Sequence, residues 1–295
     1  MKKYFILAAA AIAMAACSNN EADAPVVNNE IRLFTEVASA TRAASDLQGA
    51  QFANGTAISV QVTDEATSGA VTYALATYTA DGTGGLTPSA AQYYPASGSA
   101  VTIKAYHPAN ATESFSVQTD QSGNDNYNAS DLMWATPLTG VTSTSDNHTL
   151  SFSHLMSKIV VTLAKGTGME DAEINAATVT LGNSDLITSG TFSTTVGTFT
   201  AAESGTGTYK IATNAGTTAH AAIVVPQSVA GKLISVTIGN TTKSYTIPAS
   251  TTFAAGKVYA YTLTVSKTGL TVTSSINDWT SPNGWTNPAT DPLIF

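Results

Sequence analysis

One cysteine, Cys17, stands where a covalent modification could occur. It follows a basic start, Met1-Lys2-Lys3, and an apolar stretch from Tyr4 to Ala16. This order is typical of a secretory signal, and the apolar stretch is too short to span a membrane as a helix. Residues 1–17 are therefore expected to be a lipoprotein signal peptide whose lipobox ends at Cys17, with acyl chains holding the protein on the outer membrane. Ordinary signal-peptide cleavage beside an incidental cysteine is the alternative.

The arginines could direct a proteolytic cut. Arg32 and Arg42 are the only two, and 253 residues follow Arg42 without another. Small residues flank Arg42, with Thr41 before it and Ala43 after it. The pattern favours cleavage between Arg42 and Ala43 by an arginine-specific processing protease. A low-charge sequence that simply lost its arginines is the alternative.

The other reactive side chains do not form a catalytic pattern. The four histidines lack metal-ligand spacing, and the chain has neither a nucleophile elbow nor a phosphate loop. We expect His154 to be a structural residue at a domain junction. The sequence therefore predicts no enzyme, no catalytic residue, no metal and no cofactor.

Two further patterns have ordinary explanations. Between Asp120 and Asp131, oxygen-bearing side chains follow a calcium-loop spacing, but the loop lacks its central Gly and its final Glu. An Asx-rich turn is the favoured interpretation. Trp134, Trp279 and Trp285 could stack on sugars, although buried or interface positions are the commoner use of tryptophan.

The segment that precedes Arg42 predicts the first strand of the fold. In residues 31–37, the side chains of Ile31, Leu33, Thr35 and Val37 share one face of a strand. Residues 18–42 would thus be a tether and a first strand that the cut removes together. Loss of such a strand leaves an apolar groove with unpaired backbone groups. Another chain could fill this groove by β-strand addition.

The rest of the sequence predicts an all-β protein. It is rich in Thr, Ala, Ser, Val and Gly, and only 11% of the chain is charged. The clearest hairpin is 234–247, turning at Gly239-Asn240, and short helices are possible at 153–158 and 252–256. The candidate strands are 57–62, 70–78, 100–106, 114–119, 150–152, 158–164, 177–181, 190–192, 197–199, 207–211, 220–225, 233–238, 241–247, 258–265 and 269–276.

The spacing of strands and turns suggests two β-sandwich domains. We place them at residues 43–152 and 153–280, followed by a tail at 281–295 that contains Pro282, Pro288 and Pro292. After Arg42 the chain has 8 basic and 16 acidic residues, a formal net charge of −8. This charge disfavours binding to nucleic acid.

Several segments together resemble the fimbrillin family, the surface lipoprotein pilins of Bacteroides-type bacteria that build type V pili. They are the cysteine at 17, the TRA sequence at 41–43, DLMWA at 131–135, LSFSHLMSKI at 150–159, FAAGKVYAYTL at 253–263 and the 269–279 segment that ends in INDW.

The resemblance implies a β-sandwich followed by a β-domain of transthyretin-like topology. It also implies export as a lipoprotein, cleavage at Arg42–Ala43, and loss of the strand that carries Ile31, Leu33 and Val37. A neighbouring pilin subunit, of the same or another kind, would then supply a C-terminal donor strand. The candidate donor residues are Leu270, Val272, Ile276, Leu293, Ile294 and Phe295.

Two functions remain open at this stage. The first is a structural pilin subunit of a fimbria on the cell surface, supporting adhesion. The second is a monomeric surface-anchored lipoprotein that binds glycan or peptide. They differ at Arg42, because polymerisation needs the cut whereas an anchored receptor needs its lipid tether.

Overall fold

The fold is known from a computed structural model that describes residues 29–37, 51–67, 71–122, 124–143, 147–213 and 218–279. Within these ranges nearly every regular element is a strand, as the composition predicts. Two short helices are present, α1 (Asn124–Ala129) and α2 (Asp171–Asn175), with a 3-10 turn at Glu65–Thr67. None of the helices in the described ranges has the length and apolar content needed to span a membrane.

The strands, in chain order, are β1 (Leu33–Val37), β2 (Ala57–Asp64), β3 (Val71–Ala80), β4 (Gly85–Pro88), β5 (Val101–His107), β6 (Ser114–Ser116), β7 (Met133–Ala135), β8 (Leu138–Val141), β9 (His148–His154), β10 (Ser157–Lys165), β11 (Thr178–Leu186), β12 (Ser189–Phe192), β13 (Phe199–Ala201), β14 (Gly207–Lys210), β15 (Ala212–Thr213), β16 (Ala219–Val224), β17 (Gln227–Ser228), β18 (Leu233–Ile238), β19 (Thr241–Thr246), β20 (Thr252–Phe253), β21 (Lys257–Val265) and β22 (Leu270–Asp278).

The N-terminal strands form one sheet that closes on itself. Its order is β2-β3-β4-β1-β9-β7-β5, and β5 returns to pair with β2, while β8 pairs with β5 beyond β7. Alternate residues of β2, such as Ile58 and Val60, are fully buried inside the ring. We expected two separate sheets here. The described sheet is continuous because β2 hydrogen-bonds to β3 on one side and to β5 on the other.

The C-terminal strands form two larger sheets around a second core. One has the order β15-β16-β10-β21-β22 and the other β14-β11-β18-β19. Apolar side chains from both sheets, including Ile159, Leu263, Val179 and Val236, meet in one buried cluster. β10 lies between β16 and β21, and its first five residues are all buried. The buried stretch contains Ser157 and Lys158 as well as the apolar run 159–161, so it lacks the alternation of a strand with one solvated face.

The two cores do not divide at one point in the sequence. Phe115, Val117, Tyr127 and Leu132 precede the expected boundary at 152/153 but pack in the second core. β6 also pairs with β12, which lies well after that boundary. The segment that connects β5 to β7 therefore belongs by its contacts to the second core, and the boundary itself stays a prediction.

Two local predictions were wrong and one is confirmed. Residues 153–158 are not helical, because they end β9, turn and begin β10, with backbone partners in the sheets. Residues 252–256 are not helical either, because β20 pairs with β17 and a turn follows, with Gly256 at φ +66°. The hairpin at 234–247 is confirmed, with Ile238 paired to Thr241 at its tip.

The buried His220 predicts a loss of stability in acid. Burial lowers the pKa of His220 to about 4, from an ordinary value of 6.5. The unfolded chain therefore takes up a proton that the folded chain does not, and stability falls as the pH drops from 6.5 towards 4, by at most about 1.4 kcal/mol per pH unit. In urea titrations across this range, His220→Gln should flatten the decline in unfolding free energy. An unchanged slope would contradict this account.

Candidate functional site

The first strand completes the closed sheet. β1 lies between β4 and β9, antiparallel to the first and parallel to the second. Leu33 pairs with Leu86 on one side and with His148 on the other. Backbone hydrogen bonds extend beyond the ladder, since Ile31 N–H donates to the Gln92 carbonyl at 2.8 Å. Because β1 has partners along both edges, its removal would open the ring and leave two unpaired strand edges.

One face of this strand is buried, as the sequence predicts. Ile31 and Leu33 are each 1% exposed, and Val37 packs partly buried against the same core. On the opposite face Phe34 is 36% exposed, and Glu36 is exposed and accepts a hydrogen bond from Ser151. The inward side chains therefore fill an apolar groove that would be open without them.

A polar position interrupts this apolar face. Thr35 is 4% exposed, and both its N–H, at 2.7 Å, and its Oγ1, at 3.3 Å, donate to the Gly84 carbonyl oxygen. Gly84 has φ +108°, a conformation that favours glycine. The turn before it is held by the Asp81 carboxylate, which accepts hydrogen bonds from Thr83 and Gly85. These bonds, from Thr83 first, lower the pKa of Asp81. The groove thus has a fixed carbonyl acceptor at its third inward site.

A cavity of about 360 Å³ opens beside the strand. It is lined by Ile31, by Leu33 of β1, by Leu86 of β4, and by Asp81 and Asn147.

The candidate donor residues Leu270, Val272 and Ile276 lie on β22, which is an edge strand in the same molecule. β22 pairs with β21 without a register shift from Leu270 to Asp278. Leu270 and Val272 pack partly buried against the second core, whereas Ile276 is 63% exposed. A donor role for β22 would require it to leave this sheet.

An aromatic stack holds the end of β22. The His154 and Trp279 rings lie parallel with their centroids 3.7 Å apart. The backbone N–H of Trp279 donates to the Gly256 carbonyl at 2.8 Å. His154 Nδ1 also lies 2.8 Å from a carboxylate oxygen of Asp131. His154 thus joins β9 to the end of β22, in agreement with a structural role at a junction. We name His154, Trp279 and Asp131 the clasp.

The remaining predicted positions are quickly placed. Cys17, Arg42, Ala43, Trp285 and the segment Leu293, Ile294 and Phe295 lie outside the described residues. Trp134 and Trp279 are buried. Asp120 forms the expected Asx turn, with Ser122 N–H donating to its carboxylate, and α1, which we did not anticipate, follows. No group of three or more potential metal ligands occurs among the residues described.

The sheets and the pairing of β1 with strands on both sides define an all-β protein. Comparison with known proteins identifies its family. The model of the fimbrillin-like family matches residues 41–279. A relative from Bacteroides uniformis, named as a candidate fimbrium subunit Fim1C, is 29% identical over 207 residues. The match covers 65% of this chain and 66% of that relative, just under two thirds of its length.

Solved structures show the same fold. A candidate cell adhesion protein from Bacteroides uniformis superposes with a TM-score of 0.69 at 24% identity, covering 85% of this chain and 98% of the other. A second, from Bacteroides ovatus, gives 0.66 at 22% identity, covering 85% and 97%. The chain belongs to the fimbrillin-like family, and the resemblance drawn from its sequence is confirmed.

The alternation along β1 predicts unequal losses of stability for substitutions at adjacent residues. Leu33→Ala should lower the unfolding free energy by about 2–5 kcal/mol, because it leaves a cavity inside the closed sheet. Phe34→Ala, one residue on, should lower it by no more than about 1 kcal/mol, because its side chain lies on the outer face and loses only cross-strand packing. Urea unfolding of both full-length variants measures the difference. Equal effects would show that the inner and outer faces of β1 are wrongly assigned.

The clasp predicts a local effect on β22. Trp279→Ala removes the ring that stacks on His154, so the amides of β22 should exchange with deuterium faster while those of β10 stay protected. Ile276→Ala is the control, because that side chain is largely exposed. Equally faster exchange in β10 and β22 of Trp279→Ala would mean that the stack supports the whole core and does not act as a local clasp.

Proposed function

We propose that the protein is a structural pilin subunit of a cell-surface fimbria and that it polymerises by strand exchange at the β1 groove. One observation carries the proposal: β1 is hydrogen-bonded along both edges and completes a closed sheet, although it precedes the candidate cleavage site. A strand in this position can be removed only if another strand replaces it. The family and the fimbrium-subunit relative support the same function.

The proposed route begins with export as a lipoprotein. Cys17 is acylated and holds the precursor on the outer membrane, and an arginine-specific protease then cuts between Arg42 and Ala43. Four residues separate Val37, the end of β1, from Arg42. The cut therefore separates both the anchor and the first strand from the body. The family match begins at Thr41, beside this site and after β1. This start supports a division of the chain into a leader, which includes β1, and a body that follows Arg42.

Polymerisation follows from the unpaired groups that the cut creates. The freed edges of β4 and β9 offer a row of backbone donors and acceptors above an apolar groove, which is the arrangement that β-strand addition uses. A C-terminal strand from another pilin subunit, of the same or a different kind, fills the groove. Because main-chain hydrogen bonds form on both sides of the donor, the resulting contact resembles the interior of a domain and should dissociate slowly.

The finer architecture belongs to this proposal as well. We propose that the closed N-terminal sheet serves as the β-sandwich of a pilin, and that the two sheets of the second core have the transthyretin-like arrangement. The names of the related structures refer to cell adhesion. We propose accordingly that the assembled fimbria supports adhesion, with neither an enzymatic activity nor nucleic acid as a partner.

The cleavage step predicts a sharp difference between two conservative variants. Arg42→Lys keeps the positive charge but removes the residue that an arginine-specific protease requires. It should leave lipidated monomer on the cells and abolish the SDS-resistant ladder of surface protein. Arg32→Lys is the matched control, and it should assemble normally because Arg32 is exposed, directly before β1.

Both variants are scored by immunoblot of unheated surface extracts, together with the mass of the N-terminal peptide. A normal ladder from Arg42→Lys would contradict the proposal. Wild-type protein that stays monomeric with an acylated Cys17 would instead favour the surface-anchored glycan- or peptide-binding lipoprotein.

A further inference from the structure

The inward pattern of β1 occurs a second time in the chain. In segment 31–37, the inward residues are, in order, two aliphatic residues, one residue with a hydroxyl group and one more aliphatic residue. β22 repeats this order with the same spacing. The matching pairs are Ile31 with Leu270, Leu33 with Val272, Thr35 with Ser274, and Val37 with Ile276.

We propose that β22 of a second copy of this chain is the strand that fills the β1 groove, in the register that places Leu270 at the Ile31 site and Ser274 at the Thr35 site. The donor runs in the same direction as β1, parallel to β9. This inference rests on the proposed function. It goes further by naming the donor, its direction and its register.

The polar third site fixes the register. The Gly84 carbonyl oxygen accepts from the Thr35 hydroxyl at a buried position, and Ser274 brings an equivalent hydroxyl. A shift of two residues in one direction, or a reversed donor, places Ser274 at the Leu33 site, where a buried hydroxyl has no partner of this kind. A shift of two in the other direction places Val272 against the Gly84 carbonyl. Only the proposed register matches all four sites.

The outward face of β22 also suits the groove. In the same register, Thr271, Thr273 and Ser275 take the places of Arg32, Phe34 and Glu36, all of which are exposed. Threonine and serine on that face meet solvent without penalty, and threonine favours strands.

The prolines of the tail make it a poorer donor strand than β22. β22 contains no proline, whereas every stretch of seven residues within 280–295 contains at least one. A strand with neighbours on both sides needs its backbone N–H groups, which proline lacks. Leu293, Ile294 and Phe295 are also consecutive, so they cannot all point into one groove.

The exchange improves the surroundings of β22. Among the strands described, β22 pairs only with β21 in its own molecule, and Ile276 is 63% exposed. In the groove it gains two neighbours, and Leu270 and Val272 move to sites where Ile31 and Leu33 are 1% exposed. The turn between β21 and β22, where Ser266 Oγ bonds both the N–H and the carbonyl of Gly269, is where the strand would swing out. The clasp at Trp279 must open for this to happen.

A disulfide between subunits would show the register directly, because it forms only between positions that lie side by side. Phe34 pairs with Thr149 of β9, and both side chains are exposed. In the proposed register Thr273 of the donor lies at the Phe34 position, so fimbriae from cells producing the Thr149→Cys/Thr273→Cys variant should give a covalent ladder after boiling without reductant. Thr149→Cys/Ser275→Cys, which matches a register shifted by two residues, should give little or none. Reductant should return the first variant to monomer.

A matched pair of charge variants tests the same register without cysteine. Ser274→Glu places a carboxylate at the buried Thr35 site and should abolish the SDS-resistant ladder. Ser275→Glu places one at the exposed Glu36 site, where a carboxylate already accepts from Ser151, and should assemble normally. Both variants should be exported and soluble as monomers, because positions 274 and 275 are only partly buried on an edge strand.

Deletion of residues 281–295 completes the test, and we expect it to retain the ladder. A ladder in the wild type with no disulfide from either cysteine pair, or with the stronger disulfide from the Ser275 pair, would overturn the proposal while leaving strand exchange intact. A ladder that disappears on deletion of 281–295 and persists in Ser274→Glu would also overturn it and assign the donor to the tail. Absence of any ladder in the wild type would overturn the proposed function itself.

Discussion

The central constraint is that one short strand, β1, supplies both the last backbone hydrogen bonds and the last apolar side chains of a closed sheet. A strand with neighbours on both sides cannot leave without exposing two rows of unpaired groups. Ile31 and Leu33 are buried in the ring, and Thr35 satisfies the Gly84 carbonyl. The conformation of the turn at Gly84 and the spacing between β4 and β9 both depend on some strand lying between them. The fold requires a strand there, but not one from the same chain.

On the proposed function, this requirement would explain how the protein is stable both before and after assembly. In the monomer β1 fills the groove, and β22 is held at the edge of the second sheet by its pairing with β21 and by the stack of Trp279 on His154. In the proposed polymer β22 takes the place of β1. Because the two inward patterns are similar, the proposed groove would accept either strand, and the proposed cut at Arg42 would change which strand occupies it and not the fold.

Much of this could be predicted from the sequence, because strands with one buried face repeat every two residues. The inward face of β1 and the hairpin at Ile238–Thr241 were found in that way. Closure of the first sheet could not be predicted from the sequence. The pairing of β2 with β5 joins segments some forty residues apart and leaves no local signal. β7 and β8 escaped notice because they are only three and four residues long. The helix prediction for residues 153–158 was wrong because pairing in the sheets outweighs a weak local helix preference.

The most direct test is the N-terminus of the subunits within the fimbria. The SDS-resistant polymer is isolated from the cell surface, and the mass of its N-terminal peptide is measured. A peptide that begins at Ala43, with no peptide from residues 18–42 in the same material, is the result that the account predicts. Polymer whose subunits retain segment 31–37 in the same chain would contradict it, because the groove would then be filled from within each subunit and no neighbouring strand could enter.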